Sequence, residues 1–174
     1  NYNRHIYDSY DVAHDLYDEI TSMLSEYEDS DRVSVKSCIH GDPVFSNVLL
    51  TPHGKIKFVD MRGIQGDTLT LGGDCVYDLA KVYQSLLGYD FVLLTSRFPS
   101  HTEERYLKDL QEAFFAETKR LYPTVSPFDI LVVTVSHLFS LAPLHDNDVV
   151  RRWALGKAKA IATLVTEMGA MRTS

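Results

Sequence analysis

Apolar positions near the start of the chain recur every three or four residues. They are Leu16, Ile20, Met23, Leu24 and Tyr27. This spacing predicts a helix that ends at about Tyr27. The polar run 28–31 interrupts the pattern, and two short apolar segments, 33–35 and 38–39, then lead into a polar motif.

Two β-rich runs surround a Pro/Gly turn in the next part of the chain. Residues 48–50 precede the turn and residues 55–59 follow it, which predicts a β-hairpin. In the second run Ile56 and Phe58 alternate with lysines, so we expect one buried face and one face in water. The segment 61–73 contains four glycines and is predicted to be a loop.

Beyond residue 74 the pattern is helical. Helices are predicted over about 74–87, 101–121, 127–141 and 146–168. Ser126 and Asp146 are the expected N-caps of the last two, and Pro127 suits a first helical position. Because the strands lie between one helix and a run of helices, the prediction is a mostly helical α+β fold in a single domain, 1–174.

Length, composition and charge narrow the class of protein. The 174 residues are 45% hydrophobic, as in a soluble domain with a real core. We expect no membrane span, no secretory signal and a cytoplasmic location. Net charge is −7 with scattered Lys and Arg, which argues against a nucleic-acid partner. Cys38 and Cys75 are expected to be reduced, buried thiols.

A polar motif carries the candidate chemistry. Asp42 and Asn47 are five residues apart, and Asp60 comes just after the predicted hairpin. Phosphoryl transfer from ATP requires a carboxylate that accepts the proton of the acceptor hydroxyl, and oxygen ligands that hold Mg²⁺. Each residue alone could simply be a turn residue, but a loop followed by a hairpin can bring its first and last residues together.

The motif resembles that of a known family. His-x-Asp-x-x-x-x-Asn at 40–47, then a hairpin and Asp60, is similar to the catalytic and metal loops of the protein-kinase-like fold. The His-Gly-Asp form resembles aminoglycoside phosphotransferases, choline kinases and related sugar or alcohol kinases. The segment 73–80 looks like the Gly-Asp-x-x-x-Asp-Leu-Ala segment of that family. The resemblance covers about 34–87.

This resemblance implies a protein-kinase-like C-terminal lobe and a role for each matched residue. Asp42 would be the catalytic base, and Asn47 and Asp60 would bind Mg²⁺ and, through it, ATP. His40 and Asp78 would support the loop structurally. The implied activity is transfer of the γ-phosphate of ATP to a hydroxyl of a small molecule, such as an amino sugar, a sugar, a choline-like amine or an amino alcohol.

The chain departs from the family pattern in two places. Asp-Met-Arg-Gly at 60–63 replaces Asp-Phe-Gly and resembles bacterial relatives that occur with capsule or cell-surface sugar genes. Arg62 could contact phosphate or pair with a loop carboxylate. No glycine-rich strand-turn-strand precedes Asp42. We therefore expect a fragment whose missing N-terminal lobe grips ATP, and which is inactive alone. The alternative is a non-catalytic kinase-like binding or scaffold module.

Other polar and aromatic residues admit a functional and a structural interpretation. His137 is expected to be a hydrogen-bonded core residue, and the acidic residues at 146 and 148 are expected in a solvated loop rather than in an amine site. The aromatic residues that could cage a quaternary amine are more readily explained as core. They are Tyr77, Tyr83, Tyr89 and Trp153.

Overall fold

The computed structural model describes residues 4–11, 13–30, 32, 35–36 and 38–172. The helices are α1 (Arg4–Tyr7), α2 (Ala13–Asp29), α3 (Cys75–Leu86), α4 (Tyr89–Thr95), α5 (His101–Leu121), α6 (Pro127–Leu141) and α7 (Asp148–Arg172). The strands are β1 (Val35–Lys36), β2 (Val48–Leu50), β3 (Ile56–Phe58), β4 (Ile64–Gln65), β5 (Thr68–Leu69) and β6 (Gly73–Asp74). All of these strands lie between α2 and α3. The predicted mostly helical α+β class is confirmed.

Helix α6 lies at the centre of the core. It packs against α2, α3 and α7, and Ile130 and Leu138 are fully buried. Burial of a leucine side chain contributes about 2 kcal/mol, which is why most positions of α6 are apolar. The stretch Pro127–Leu144 is long and apolar enough to cross a membrane by length and composition, but 72% of it is buried inside the protein. The sequence analysis had not recognised this apolar run, most of which is the buried core helix α6.

The predicted hairpin is present. Strands β2 and β3 pair antiparallel, with Val48 opposite Phe58 and Leu50 opposite Ile56. Gly54 closes the turn with a φ of +74°, a backbone conformation that glycine adopts without strain. The second expectation, one buried face, was wrong. Leu50 is 74% exposed, Ile56 61% and Phe58 60%.

The exposure of the hairpin has a simple physical reason. Alternation of apolar and polar residues buries a face only when another layer packs on it. In the part of the chain that the structure describes, β2 makes its closest contacts with β3 and with the 3₁₀ turn Phe45–Asn47. The sequence pattern therefore indicates an apolar face, and the fold leaves that face uncovered.

The segment 61–73, predicted as a loop, contains strand structure. Strands β4 and β5 form a second hairpin, with Ile64 opposite Leu69 and Gly66 in the turn at φ +57°. Strand β6 pairs with β1, so that Val35 lies opposite Asp74. Strands of two residues are too short to show alternation, and the glycines hide them further.

Helix α3 begins and ends as its sequence predicts. The Asp74 side chain caps it by accepting a hydrogen bond from the Val76 N–H at 3.0 Å. Gly88, with φ +105°, turns the chain directly into α4. The sequence analysis missed α4 because its seven residues span only about two turns.

The first residues of the C-terminal helices can be compared with the predicted N-caps. Helices α5 and α6 have the predicted bounds, and Ser126 caps α6 through the Phe128 N–H. The N-cap predicted at Asp146 was wrong. Helix α7 starts at Asp148, and it is Asn147 whose side-chain oxygen accepts the Val149 N–H at 2.9 Å.

The two cysteines do not share one environment. Cys75 is buried, as expected, whereas Cys38 is exposed, and both are free thiols. The expectation of a buried Cys38 was therefore wrong. Its position directly before the polar loop at residue 40 leaves it at the surface.

Replacing Asn147 with alanine tests the capping assignment. Asn147→Ala removes the acceptor for Val149 N–H and the contact with the Ser96 hydroxyl, so the free energy of unfolding should fall by about 1 kcal/mol. The neighbouring change Asp146→Ala is the control and should stay within about 0.5 kcal/mol of the parent. Urea unfolding measures both, and a larger loss for the control would reject Asn147 as the cap.

Candidate functional site

Asp78 holds the backbone of the loop that follows residue 39. Its carboxylate accepts hydrogen bonds from the His40 N–H at 2.7 Å and the Gly41 N–H at 2.8 Å. Asp78 lies in the first turn of α3, which packs against the central helix α6. The loop is therefore attached to the core through one carboxylate, which is the support expected of Asp78.

The other end of the loop is held by the same region of the fold. The Phe45 N–H donates to the Ser85 hydroxyl at 3.0 Å, and the Ser46 N–H donates to Asp90 at 2.8 Å. Ser85 belongs to α3, and Asp90 belongs to α4. Both ends of the 40–47 loop are thus tied by backbone N–H groups to the two consecutive helices α3 and α4.

Glycine is the only residue type that fits at position 41. Its φ is +84°, and a Cβ there would lie 2.7 Å from the Cβ of Arg62. The Arg62 N–H donates to the His40 carbonyl at 3.0 Å, so the segment after Asp60 lies directly against the loop. A side chain at position 41 would push these two segments apart.

Asp42 and Asn47 contact each other across the loop. The Asn47 Nδ2 donates to the Asp42 carbonyl oxygen at 2.9 Å and lies 3.4 Å from Asp42 Oδ2. The Asp42 N–H in turn donates to Nδ1 of His40 at 3.3 Å. A neutral His40 ring then carries its proton on Nε2, a buried atom with no hydrogen-bond partner among the described residues.

The hairpin register places Asp60 beside Asn47. The Val59 N–H donates to the Asn47 carbonyl at 3.0 Å, which continues the pairing of Val48 with Phe58. Asp60 follows at once and adopts φ +60°. Non-glycine residues rarely adopt this left-handed conformation, although Asp tolerates it better than most.

The free oxygens of Asn47 and Asp60 fit a hard cation. The Asn47 Nδ2 is already used within the loop, which leaves its amide oxygen as the group that can bind a ligand. The Asp60 side chain is exposed and makes no hydrogen bond to the part of the chain that the structure describes. Mg²⁺ is typically held by one or two such protein oxygens together with phosphates and water. No group of three or more His, Cys, Asp and Glu residues suited to a metal occurs within the described ranges.

Lys81 is part of the site, although the sequence analysis did not single it out. Its Nζ lies 3.1 Å from Asp42 Oδ1, and its side chain is 13% exposed. Lys81 follows Asp78 by three residues on α3, so both side chains project from the same side of the helix. This lysine reaches Asp42 only because the fold packs the loop against α3. The three-residue spacing from Asp78 was the sequence signal that could have pointed to it.

Arg62 has a neutral partner. Its guanidinium donates to the Tyr77 hydroxyl at 2.8 Å and lies 5.8 Å from the centre of the Tyr77 ring. This contact differs from the carboxylate pairing considered from the sequence. Among the described residues no carboxylate pairs with Arg62, which lies at the surface two residues after Asp60.

A cavity of about 960 Å³ lies beside the loop, between α2, the segment 62–74 and α6. His137 lines it and is only 4% exposed. Burial, helped by the charges of Lys81 and Arg62, holds the pKa of His137 well below its usual value, so the ring is neutral. Neither ring nitrogen has a hydrogen-bond partner among the described residues. His137 is thus a core residue as predicted, but the predicted hydrogen bonds are missing.

The aromatic residues considered as an amine cage lie in separate clusters. Tyr83 packs against Phe114 and Phe115, and Tyr77 packs edge-on against His137. The centre of the Tyr89 ring lies 6.5 Å from that of Trp153, and the Tyr89 hydroxyl oxygen lies 3.1 Å from Nε2 of His145. Core packing accounts for these side chains.

The acidic residues at the start of α7 have local partners. The Asp146 carboxylate lies 3.5 Å from Arg151 at the surface, and Asp148 accepts a hydrogen bond from the Tyr10 hydroxyl at 2.6 Å. Asp148 also pairs with Arg152, and these hydrogen bonds lower its pKa. Asp146 lies in the solvated loop that was expected, but the same expectation was wrong for Asp148, which is the first residue of α7.

Comparisons of this chain with protein-family models, curated proteins and solved structures found no significant match.

Replacing Asp78 should loosen the loop and lower the stability of the protein. Asp78→Ala leaves two buried N–H groups without an acceptor, at about 1–3 kcal/mol each. Asp78→Asn keeps one carbonyl oxygen and should lose roughly half as much. Denaturant unfolding measures both. Asp67→Ala, an exposed change in the β4–β5 turn, is the control, and an Asp78→Ala protein as stable as this control would contradict the assignment.

Proposed function

We propose that this chain is the catalytic lobe of an ATP-dependent phosphotransferase that acts on a hydroxyl group of a small molecule in the cytoplasm. One observation carries the proposal. A single loop, tied to the core at both ends, presents Asp42 and Asn47 together, and the hairpin returns Asp60 beside them in a rare backbone conformation. A turn with no chemical role does not require three such polar residues in this order.

The proposed roles follow from the side-chain oxygens that each residue can present to a ligand. Asp42 is the proposed base that orients the acceptor hydroxyl and takes its proton as phosphate transfer proceeds. The amide oxygen of Asn47 and the carboxylate of Asp60 are the proposed ligands of Mg²⁺. When bound, that ion supplies neutralisation of the charge on the transferring phosphate.

The uncovered hairpin face fits the second part of the proposal. Leu50, Ile56 and Phe58 are all at least half exposed and extend from the hairpin base that holds Asn47 and Asp60. Such an apolar surface suits the adenine ring and an N-terminal lobe of the same protein that would grip ATP. Without that lobe, we expect this chain to bind ATP poorly.

Amino sugars, sugars, choline-like amines and amino alcohols are the proposed acceptors. The sequence Asp-Met-Arg-Gly at 60–63 favours a link to capsule or cell-surface sugar metabolism within this set. A panel of these compounds, assayed for ATP consumption by the complete gene product, tests the proposal directly. No consumption with any acceptor would favour the non-catalytic kinase-like module instead.

Asp42→Asn should remove the base while keeping the shape of the side chain. In the complete gene product we expect kcat to fall by about 10²- to 10⁴-fold, with little change in ATP affinity, because a base acts mainly in the transition state. Steady-state kinetics with the best acceptor of the panel gives both values. Asp67→Asn is the matched surface control, and a turnover equal to that control would remove Asp42 from the role.

Asp60→Ala should act on the nucleotide rather than on the proton transfer. Loss of one of two protein ligands should weaken the binding of ATP with Mg²⁺ by about tenfold or more, whereas binding of ATP without Mg²⁺ should change little. Calorimetric titration of the complete gene product with and without Mg²⁺ separates the two, with Asp67→Ala as control. Equal affinities for the Mg²⁺ complex would argue against a metal role for Asp60.

A further inference from the structure

Lys81 occupies an unusual position for a lysine. Its side chain is 13% exposed, in contrast to the 39% exposure of the Asp42 side chain that it contacts. Lysine is rarely withdrawn from water unless its charge is paired. The ammonium lies 6.0 Å from the centre of the Tyr77 ring, and Asp42 is the carboxylate that it meets.

The two oxygens of Asp42 have different surroundings. Oδ1 is buried, and its contact with Lys81 at 3.1 Å is an ion pair without the alignment of a hydrogen bond. Oδ2 lies 3.4 Å from the Asn47 amide nitrogen. Since Oδ1 is buried while the side chain as a whole is 39% exposed, the accessible part of the carboxylate includes Oδ2 rather than Oδ1.

Without Lys81, a buried carboxylate oxygen would have no compensating charge. That state is costly, and Asp42 would escape it by turning Oδ1 towards water. The rotation would move Oδ2 away from Asn47. The ammonium therefore determines which oxygen faces outward.

We propose that Lys81 is a positioning residue for Asp42: it draws Oδ1 inward, so that Oδ2 is the oxygen presented to the acceptor hydroxyl. This inference rests on the proposed phosphotransferase. In that reaction Oδ2 takes the hydroxyl proton as the acceptor oxygen bonds to the γ-phosphorus. The bond from that phosphorus to the bridging oxygen breaks, and ADP leaves with the electron pair.

Two residues within one turn of α3 then hold the backbone and the side chain of the base in place. Asp78 fixes the loop backbone through the His40 and Gly41 N–H groups, and Lys81, three residues later, fixes the Asp42 side chain. Loss of the ammonium would cost stability as well, because it leaves a buried carboxylate oxygen without a compensating charge. Turnover of the folded protein is therefore the measurement that separates a positioning role from a stabilising one.

The kinetic test uses the complete gene product and the best acceptor of the panel. Lys81→Met should lower kcat by about 10- to 100-fold through misplacement of the base, while KM for ATP stays within about twofold of the parent. Lys81→Arg, which keeps the charge, should recover most of the loss. The double variant Lys81→Met/Asp42→Asn should be no slower than Asp42→Asn alone, because both changes disable one unit.

Lys157→Met is the matched control. The Lys157 ammonium on α7 lies 3.8 Å from the Glu104 carboxylate on α5, away from the loop. Turnover of Lys81→Met equal to this control would overturn the proposal. So would losses that multiply in the double variant, since independent effects combine in that way. A large rise in KM for ATP with unchanged kcat would also overturn it, and would assign Lys81 to nucleotide binding instead.

A second measurement does not depend on turnover. The ¹⁵N-labelled side-chain ammonium of Lys81 should give an NMR signal that moves in Asp42→Asn and stays in place in Asp67→Asn. A signal that ignores Asp42→Asn would overturn the ion pair whatever the activity. If the ion pair is present but the complete gene product consumes no ATP with any acceptor, the proposed function and the positioning role both fail. Activity with an unaffected Lys81→Met variant rejects the positioning role alone.

Discussion

The candidate site depends on one interaction, the pair of hydrogen bonds from the loop backbone to Asp78. Two adjacent N–H groups that belong to no strand or helix need an acceptor when buried, and a carboxylate accepts both at once. Asp78 lies in the first turn of α3, and α3 packs on the buried helix α6. The hydrophobic core therefore determines where the loop lies. The Arg62 contact with the His40 carbonyl and the close fit at Gly41 then fix the segment that carries Asp60 relative to the same loop.

Much of this arrangement is encoded locally and could be predicted. Helices α5 and α6 have clear starts in the sequence. Ser100 and Glu103 form a capping box, and Ser126 is followed by proline. The β2–β3 hairpin follows from its turn, and the placement of Asp60 beside Asn47 follows from the hairpin register.

The remaining features depend on information that local patterns lack. Asp146 and Asn147 are adjacent and both are good caps, so propensity could not choose between them. The apolar face of the hairpin was recognised, but a strand pattern does not say whether another layer covers it. Strands of two residues in a glycine-rich segment give no period to detect. Lys81 belongs to no motif that was considered, and it became visible only once α3 was packed beneath the loop.

Charges of both signs meet around the loop, where Lys81 and Arg62 lie among the carboxylates of the site. The protein carries a net charge of −7, yet Lys81 and Arg62 both act on the neutral His137 ring. Lys81 is balanced by Asp42. Arg62 is bonded to a neutral hydroxyl, so its charge remains to act on a ligand. A cation that pairs with no carboxylate in the described part of the chain, two residues after an exposed carboxylate, would suit an anion held together with a metal ion. Under the proposed function, this neighbouring carboxylate and cation would serve a phosphate held together with Mg²⁺, although the chain as a whole is acidic.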